Sequence, residues 1–257
     1  MDGLKEGMEY LVEQSKPDFK EHEGKLFANK EMYRVHEYAP LSRPLEMNTL
    51  TSFIDYIKSQ TDRMAENMII HIKSPTRVSL LSALDDDRRR EEIAVANALV
   101  PEFLFGEFYN HENFIIQVMA KFHDNAADPY TDKDKILKFV GTGQCGTLRN
   151  YSDDGVSQSV TIQKTTTSKE EDVVPNPVEL CPYRTFNEVS QPVSQFIFRM
   201  SDDNYGLKAA LFEADGGAWK NEAILDIKKY LTEQLNNWSD ELKASNCSVS
   251  TNFTIIA

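Results

Sequence analysis

Basic residues are scarce in this 257-residue chain. Lys and Arg number 28 against 41 Asp and Glu, leaving a net charge of −13 and a pI of about 4.9. So acidic a surface repels phosphate. That disfavours sequence-independent binding to DNA or RNA and docking on an anionic membrane leaflet. Cysteines are few and scattered. Cys145, Cys181 and Cys247 are odd in number and too widely spaced for a disulfide framework or a zinc cluster, which points to a reducing cytoplasm. No apolar run approaches the ~20 residues of a membrane span. The acidic start "MDGLKEGMEYLVEQ" lacks the apolar centre of a signal peptide. G-x-S-x-G, G-K-[ST] and H-E-x-x-H are all absent, so the marks of a serine hydrolase, a P-loop NTPase and a zinc protease are missing.

What is present is enough for a core: 40% hydrophobic and 10% aromatic residues, richer than a disordered chain. Leu4, Met8, Leu11 and Val12 fall on one face of a short N-terminal helix. Residues 17–46, broken by Pro17, Pro40 and Pro44, read as an extended arm with at most a short strand near Met32–Tyr38. A helix then runs through "LTSFIDYIKSQTDRM" with Thr51 or Ser52 as its cap. "NMIIHIKSP" and "TRVSLLSAL" form a hairpin, "EEIAVANAL" a third strand. "NFIIQVMAKFHD" is a helix with Phe114, Ile115, Val118, Met119 and Phe122 inward. "DKDKILKFV" is a helix ending at Gly141. The second half is rich in strands. "TLRNYSDDGVSQSVTIQKTTT" turns at Asp154-Gly155, "SKEEDVVPNP" is a loop, and "VELCPYRTFNEV", "VSQFIFRM" and "LKAALFEA" are strands. "GGAWKNEAILDIKKYLTEQLNNW" is the strongest helix, with Ala223, Ile224, Ile227, Tyr230, Leu231, Leu235 and Trp238 on one face. The tail "CSVSTNFTIIA" adds a last strand. Antiparallel strands beside helices, without a βαβ repeat, predict an α+β fold of hairpins packed with several helices. The expected division is an N-terminal helix and arm over 1–48 and a single α+β domain over 49–257.

Gly141, Gly143 and Gly146 in "FVGTGQCGTLRN" match G-x-G-x-x-G. A dinucleotide loop needs a strand before it and a helix after it, so that the helix N-terminus holds the pyrophosphate. Here a helical pattern precedes and a hairpin follows. The glycines therefore read as a helix C-cap at Gly141 and a tight exit. Asp85-Asp86-Asp87 next to Arg88-Arg89-Arg90 offers hard oxygen ligands. Adjacent residues do not converge on one ion, however, and the arginines compete for the carboxylates. The run reads as a charge cluster able to mate with a neighbouring copy. His22, His36, His71, His111 and His123 include no i, i+4 pair. His111 reads as a helix start and His123 as a helix end, where a cation suits the dipole. Cys145 and Cys181 read as inert thiols. Phe103, Phe105, Phe108, Tyr109 and Phe114 lack the interleaved cations of a base-stacking surface and read as core. No catalytic, cofactor-binding or metal-ligating residue is assigned, and no cofactor is expected.

Three segments carry a resemblance. They are "FIDYIKSQTDRMAENMIIHIKSPTRVSLLSALDDDRRREEIAVANA", "FLFGEFYNHENFIIQVMAKFHDNAAD" and "LCPYRTFNEVSQPVSQFIFRMSDDNYGLKAAL". Together, over residues 50 to 238, they resemble the YfdQ-like family, a domain-of-unknown-function family of phage and prophage proteins. "PEFLFGEF" replaces the family's usual central tryptophans, which marks a divergent member. The resemblance implies a protein made in a bacterial host's cytoplasm, and it transfers no catalytic residue. Two functions are expected from it and the pattern together. The first is a non-enzymatic, self-assembling protein. In its sharpest form this is a shell protein of the tailed-phage capsid and encapsulin fold, which also combines an arm, a long hairpin and a long helix. The second is a small-oligomer accessory protein that captures a host defence or replication factor, or a signalling nucleotide. An enzyme ranks last, for want of a metal, nucleophile or phosphate motif. The expected partners are other copies of the chain and a host or phage protein, with no membrane.

Overall fold

The computed structural model describes residues 2–16, 18–22, 25–28, 41–62, 67–85, 88–124, 132–143, 147–153, 158–163, 169–173, 176–203, 206–244 and 252–257. It divides into two units, Met1–Leu41 and Ser42–Ala257. In the first, helix α1 (Asp2–Ser15) precedes an antiparallel hairpin, β1 (Phe19–His22) with β2 (Lys25–Ala28). The sequence reading missed this hairpin because "FKEHEGKLFA" is charged on both strands and too short to show a period. The strand expected near Met32–Tyr38 lies outside the described residues.

The second unit is α+β and contains two five-stranded, mostly antiparallel sheets. One is built on β4 (Asn67–Ser74), β5 (Arg77–Ser82) and β6 (Glu92–Asn97). Met68, Ile70 and Ile72 alternate into the core, as a half-buried strand requires. β3 (Leu45–Met47) joins the β6 edge in parallel, and β15 (Asn252–Ile256) joins the β4 edge in parallel. Helices α2 (Leu50–Ser59) and α5 (Trp219–Ala244) pack on this sheet and on each other. The cap of α2 is Thr49, two residues before the nearer of the two expected caps, Thr51. Its side chain accepts a hydrogen bond from the Ser52 amide. The helix stops at Ser59, short of the expected Met64. Gln60 adopts a left-handed conformation, its side chain donates to the Ile57 carbonyl, and the Tyr56 hydroxyl reaches past the end to Asp62.

The other sheet has the order β7-β14-β13-β12-β8. Its strands are β7 (Tyr109–Asn110), β8 (Phe122–His123), β12 (Val178–Pro182), β13 (Ser194–Asp203) and β14 (Gly206–Glu213). Helices α3 (His111–Lys121) and α4 (Asp132–Gly143) cover it. Asn110 caps α3 by accepting from the Asn113 amide. Phe114 and Val118 point inward, but Met119 is exposed. Phe122 leaves the helix as an extended residue, so the expected five-residue face is shorter than the pattern suggested. A third sheet has the order β11-β10-β9, with β9 (Thr147–Asp153), β10 (Gln158–Gln163) and β11 (Lys169–Val173). The strand β11 lies where the sequence reads as a loop. "KEEDV" has no apolar alternation, and only its pairing with β10 makes it a strand.

Two hydrophobic cores result. Phe114, Phe122, Phe196, Phe198, Ile136 and Leu211 anchor the α3/α4 core. Leu50, Phe53, Ile57, Ile70, Leu80, Phe186, Leu231 and Trp238 anchor the α2/α5 core. Residues Ala223, Ile227, Leu231, Leu235 and Trp238 of α5 are buried at i, i+4 and i+3 spacing, a stripe along four turns. Gly216 and Gly217, both at positive φ, lead into the helix where a side chain would strain the backbone.

Leu231 is fully buried and Leu225 is 55% exposed on the same helix. Leu231→Ala is expected to lower the unfolding free energy by ~2–5 kcal/mol. Leu225→Ala should change it by no more than ~0.5 kcal/mol, with urea titration as the measurement. On β5, the buried Ser79 hydroxyl donates to Glu92 at 2.6 Å, and Arg77 stands 3.4 Å from the same oxygen. These contacts, the serine bond first, hold the Glu92 carboxyl below its ordinary value. A depressed carboxyl contributes stability above its unfolded pKa and loses it as pH falls through the folded one. Ser79→Ala should therefore destabilise more at pH 7 than at pH 3.

Candidate functional site

Helix α1 is amphipathic as the sequence indicates, and among the described residues of its own unit none covers its apolar face. Leu4 is 77% exposed, and Met8, Leu11 and Val12 are exposed as well. Lys5, Glu9, Glu13 and Lys16 flank a shallow depression of about 620 Å³ along this face. Glu13 and Lys16 form an i, i+3 ion pair at 3.5 Å. A helix of fourteen residues is marginal in water on its own. An exposed stripe of four large apolar side chains is the kind of surface that a second element covers.

The second unit has a cleft of about 970 Å³. Pro101, His123, Cys181, Tyr183, Gln191 and Glu222 are among its walls. The pairing of β8 with β12 makes His123 and Cys181 direct cross-strand partners, which puts both side chains on one face. The sequence reading placed His123 at a helix end. It lies instead in β8, beyond the α3 cap, because Phe122 and His123 pair with Pro182 and Cys181. The His123 ring meets Tyr183 edge-on at 5.6 Å. Gln191 is a structural clasp: its side-chain oxygen accepts from the Arg184 and Thr185 amides, and its nitrogen donates to the Phe186 carbonyl. No spacing in the sequence signals the Cys181–His123 pair, since 58 residues separate them and only the sheet register unites them.

A histidine beside a cysteine suggests a nucleophile, but the electrostatics oppose it. Burial pushes the Cys181 thiol above its ordinary value, with Arg184 only partly offsetting it. An activated cysteine needs the reverse shift. The remaining sequence candidates stay apart. Gly141 and Gly143 lie in the last turn of α4, which runs two residues past the expected C-cap, and Gly146 lies outside the described residues. β9 follows the helix, so this segment has helix-then-strand order. Asp85 accepts from the Arg89 amide and pairs with its guanidinium at 3.1 Å. That turn connects β5 to β6, while Asp86 and Asp87 are outside the described residues. No group of three or more His, Cys, Asp or Glu able to hold a metal occurs among the described residues. Phe103, Phe105, Tyr109 and Phe114 belong to or pack against the α3/α4 core, whereas Phe108 is exposed. No helix among the described residues is long and apolar enough to cross a membrane.

The raised thiol has a measurable consequence. In a Cys145→Ser, Cys247→Ser background, alkylation of Cys181 by iodoacetamide at pH 8 should run at least ~10-fold slower than that of a free thiol. The rate should climb only as pH passes the ordinary thiol range. Comparison of the chain with protein-family models, with curated proteins and with solved structures returned no match.

Proposed function

We propose that the chain works by homo-oligomeric assembly rather than catalysis, with α1 as a contact element. The phage or prophage setting is the one its YfdQ-like resemblance implies. One observation carries this reading: Leu4, Met8, Leu11 and Val12 form an exposed apolar stripe on α1, which no described residue of its own unit covers.

The occupant that suits the stripe is a second copy of the same helix. In an antiparallel pair with its two-fold at Met8, Leu4 of each copy lies opposite Val12 of the other. Such an isologous contact needs one self-complementary patch. The same arrangement turns the Lys5 end of one helix toward the Glu13 end of the other. A parallel pair sets like charges side by side, which is unfavourable. This contact closes at a dimer; the shell that the arm, hairpins and long helix suggested needs a further, different contact between such dimers.

A second reading rests on the cleft of about 970 Å³, which is within the range of ligand sites. In it, the chain is a small-oligomer accessory protein that captures a host defence or replication factor. Glu188 and Glu222 in the cleft wall favour a basic protein segment over the phosphates of a signalling nucleotide.

Light scattering after size exclusion, at low micromolar concentration, tests the assembly reading. Assembly predicts a mass at least twice 29.3 kDa, with Met8→Asp shifting it to the monomer. A megadalton species corresponds to a shell. A monomeric wild-type chain overturns the assembly reading, and an oligomer unaffected by Met8→Asp removes α1 from it.

A further inference from the structure

Among the described strands, those at sheet edges are guarded, with one exception. β1 and β2 carry Lys20, Glu21 and Lys25. β11 reads "KEEDV", and β9 holds Arg149 and Asp153. β7 and β8 are two residues long. β3 has three residues, with Glu46 at its middle and Pro44 just before it. Short length, charge and proline are the devices that keep an edge from pairing with another chain. β15 has none of them. It runs for five residues, "NFTII", without a charge or a proline. It stands at the end of the order β15-β4-β5-β6-β3, and no described strand pairs with its outer side. Phe, Thr and Ile are also the residue types that strands favour.

Burial marks the same edge from the core side. Phe253 is the register partner of Met68, and Ile255 that of Ile70. Met68 and Ile70 are 1% and 0% exposed, with β15 and β5 flanking them on either side. Phe253 and Ile255 pack against the same core, the Phe253 ring 6.4 Å from that of Trp238, yet both stay only partly buried. They have a strand on one side alone. On the opposite face of β15, Thr254 and Ile256 are exposed.

The strand is complementary to itself. In an antiparallel pair of two copies with the two-fold axis at Thr254, position 253 lies opposite 255, and 254 opposite 254. The two-residue period keeps 253 and 255 on the core face of both sheets and 254 on the other. The cross-strand pairs are then Phe253 with Ile255, twice, and Thr254 with Thr254. Aromatic with β-branched and threonine with threonine are both stabilising combinations.

We propose that β15 is a docking edge whose occupant is β15 of a second copy, so that two five-stranded sheets join into one of ten strands. The inference rests on the assembly reading and adds a two-fold contact different from the α1 pair. Five paired residues bury little surface, so the contact is weak, with a Kd on the order of 100 μM. It is silent at the low micromolar concentrations at which the α1 contact is read.

The test is sedimentation equilibrium of the full chain carrying Met8→Asp, which removes the α1 contact, from ~20 to ~500 μM. A monomer at the low end and a dimer at the high end are expected. Thr254→Lys and Thr254→Glu, each added to that chain, set like charges opposite one another and should weaken pairing at least ~5-fold. Thr254→Gln, similar in length to the glutamate but uncharged, should stay within ~2-fold of its parent. An equimolar mixture of the Lys and Glu variants should regain the dimer, because opposite charges meet across the axis. The Thr254 side chain is exposed, so every variant should keep the urea midpoint of its parent. Three outcomes overturn this contact: a Met8→Asp chain that is monomeric throughout, a Thr254→Lys chain that pairs like its parent, or a mixture no better than either variant alone. None of them alters the α1 result at low micromolar concentration. A wild-type chain that is monomeric there, with a Met8→Asp chain that still pairs through Thr254, removes the α1 contact and leaves this one standing.

Discussion

Seven residues of chain, Leu180 to Phe186, join the second unit's two cores. Leu180, on β12, is buried in the α3/α4 core, and Phe186 is buried in the α2/α5 core. Between them the backbone is fixed at almost every step. The Tyr183 amide donates to the Lys121 carbonyl. The Arg184 and Thr185 amides share the Gln191 side-chain oxygen, and the Thr185 hydroxyl donates to the Pro75 carbonyl at 2.6 Å. A segment buried on both sides cannot rely on water for its polar groups, so every neighbour that supplies an acceptor is constrained in turn. The β4–β5 turn, the end of α3 and the loop before β13 all meet this requirement. The cleft of about 970 Å³ and a smaller cavity of about 240 Å³ share Pro101 and Tyr183 as wall residues.

Much of the fold was legible in the sequence wherever one face is buried and the other wet. The α5 stripe and the β4 alternation are examples, because burial imposes the 3.6- and 2-residue periods directly. The α+β class follows from these. What escaped detection is structure decided by partners distant in the chain. β11 is charged throughout and becomes a strand by pairing. β1 and β2 are too short to have a period. Phe122 and His123 continue the helical pattern of α3 but are claimed by β12. The boundary of α2 depended on one left-handed residue, Gln60, that no propensity marks strongly.

The functional features were legible to differing degrees. The apolar face of α1 could be drawn from Leu4, Met8, Leu11 and Val12 alone, though not that it lies exposed. The cavity of about 240 Å³ that Phe103, Phe105, Arg184 and Trp219 line could not be foreseen, since its walls come from residues 76, 100–105, 121, 182–184 and 219, five stretches with no common motif. The cross-strand pair of Cys181 and His123 is similarly a product of register. It also shows how geometry and chemistry part: the two residues adjoin, yet the buried thiol is tuned away from reaction.

The parallel pairing of β15 with β4 has a consequence for how the protein comes into being. β4 is among the first strands of the second unit to emerge from a ribosome, and β15 is the last. Until β15 has been made, β4 therefore presents an unpaired edge on the strand that carries Met68, Ile70 and Ile72. Edges of this kind recruit strands from other chains, and contacts between distant segments close slowly. The nascent chain thus passes through an interval in which its own second copy competes with its own tail. The order of synthesis sets which of the two encounters comes first.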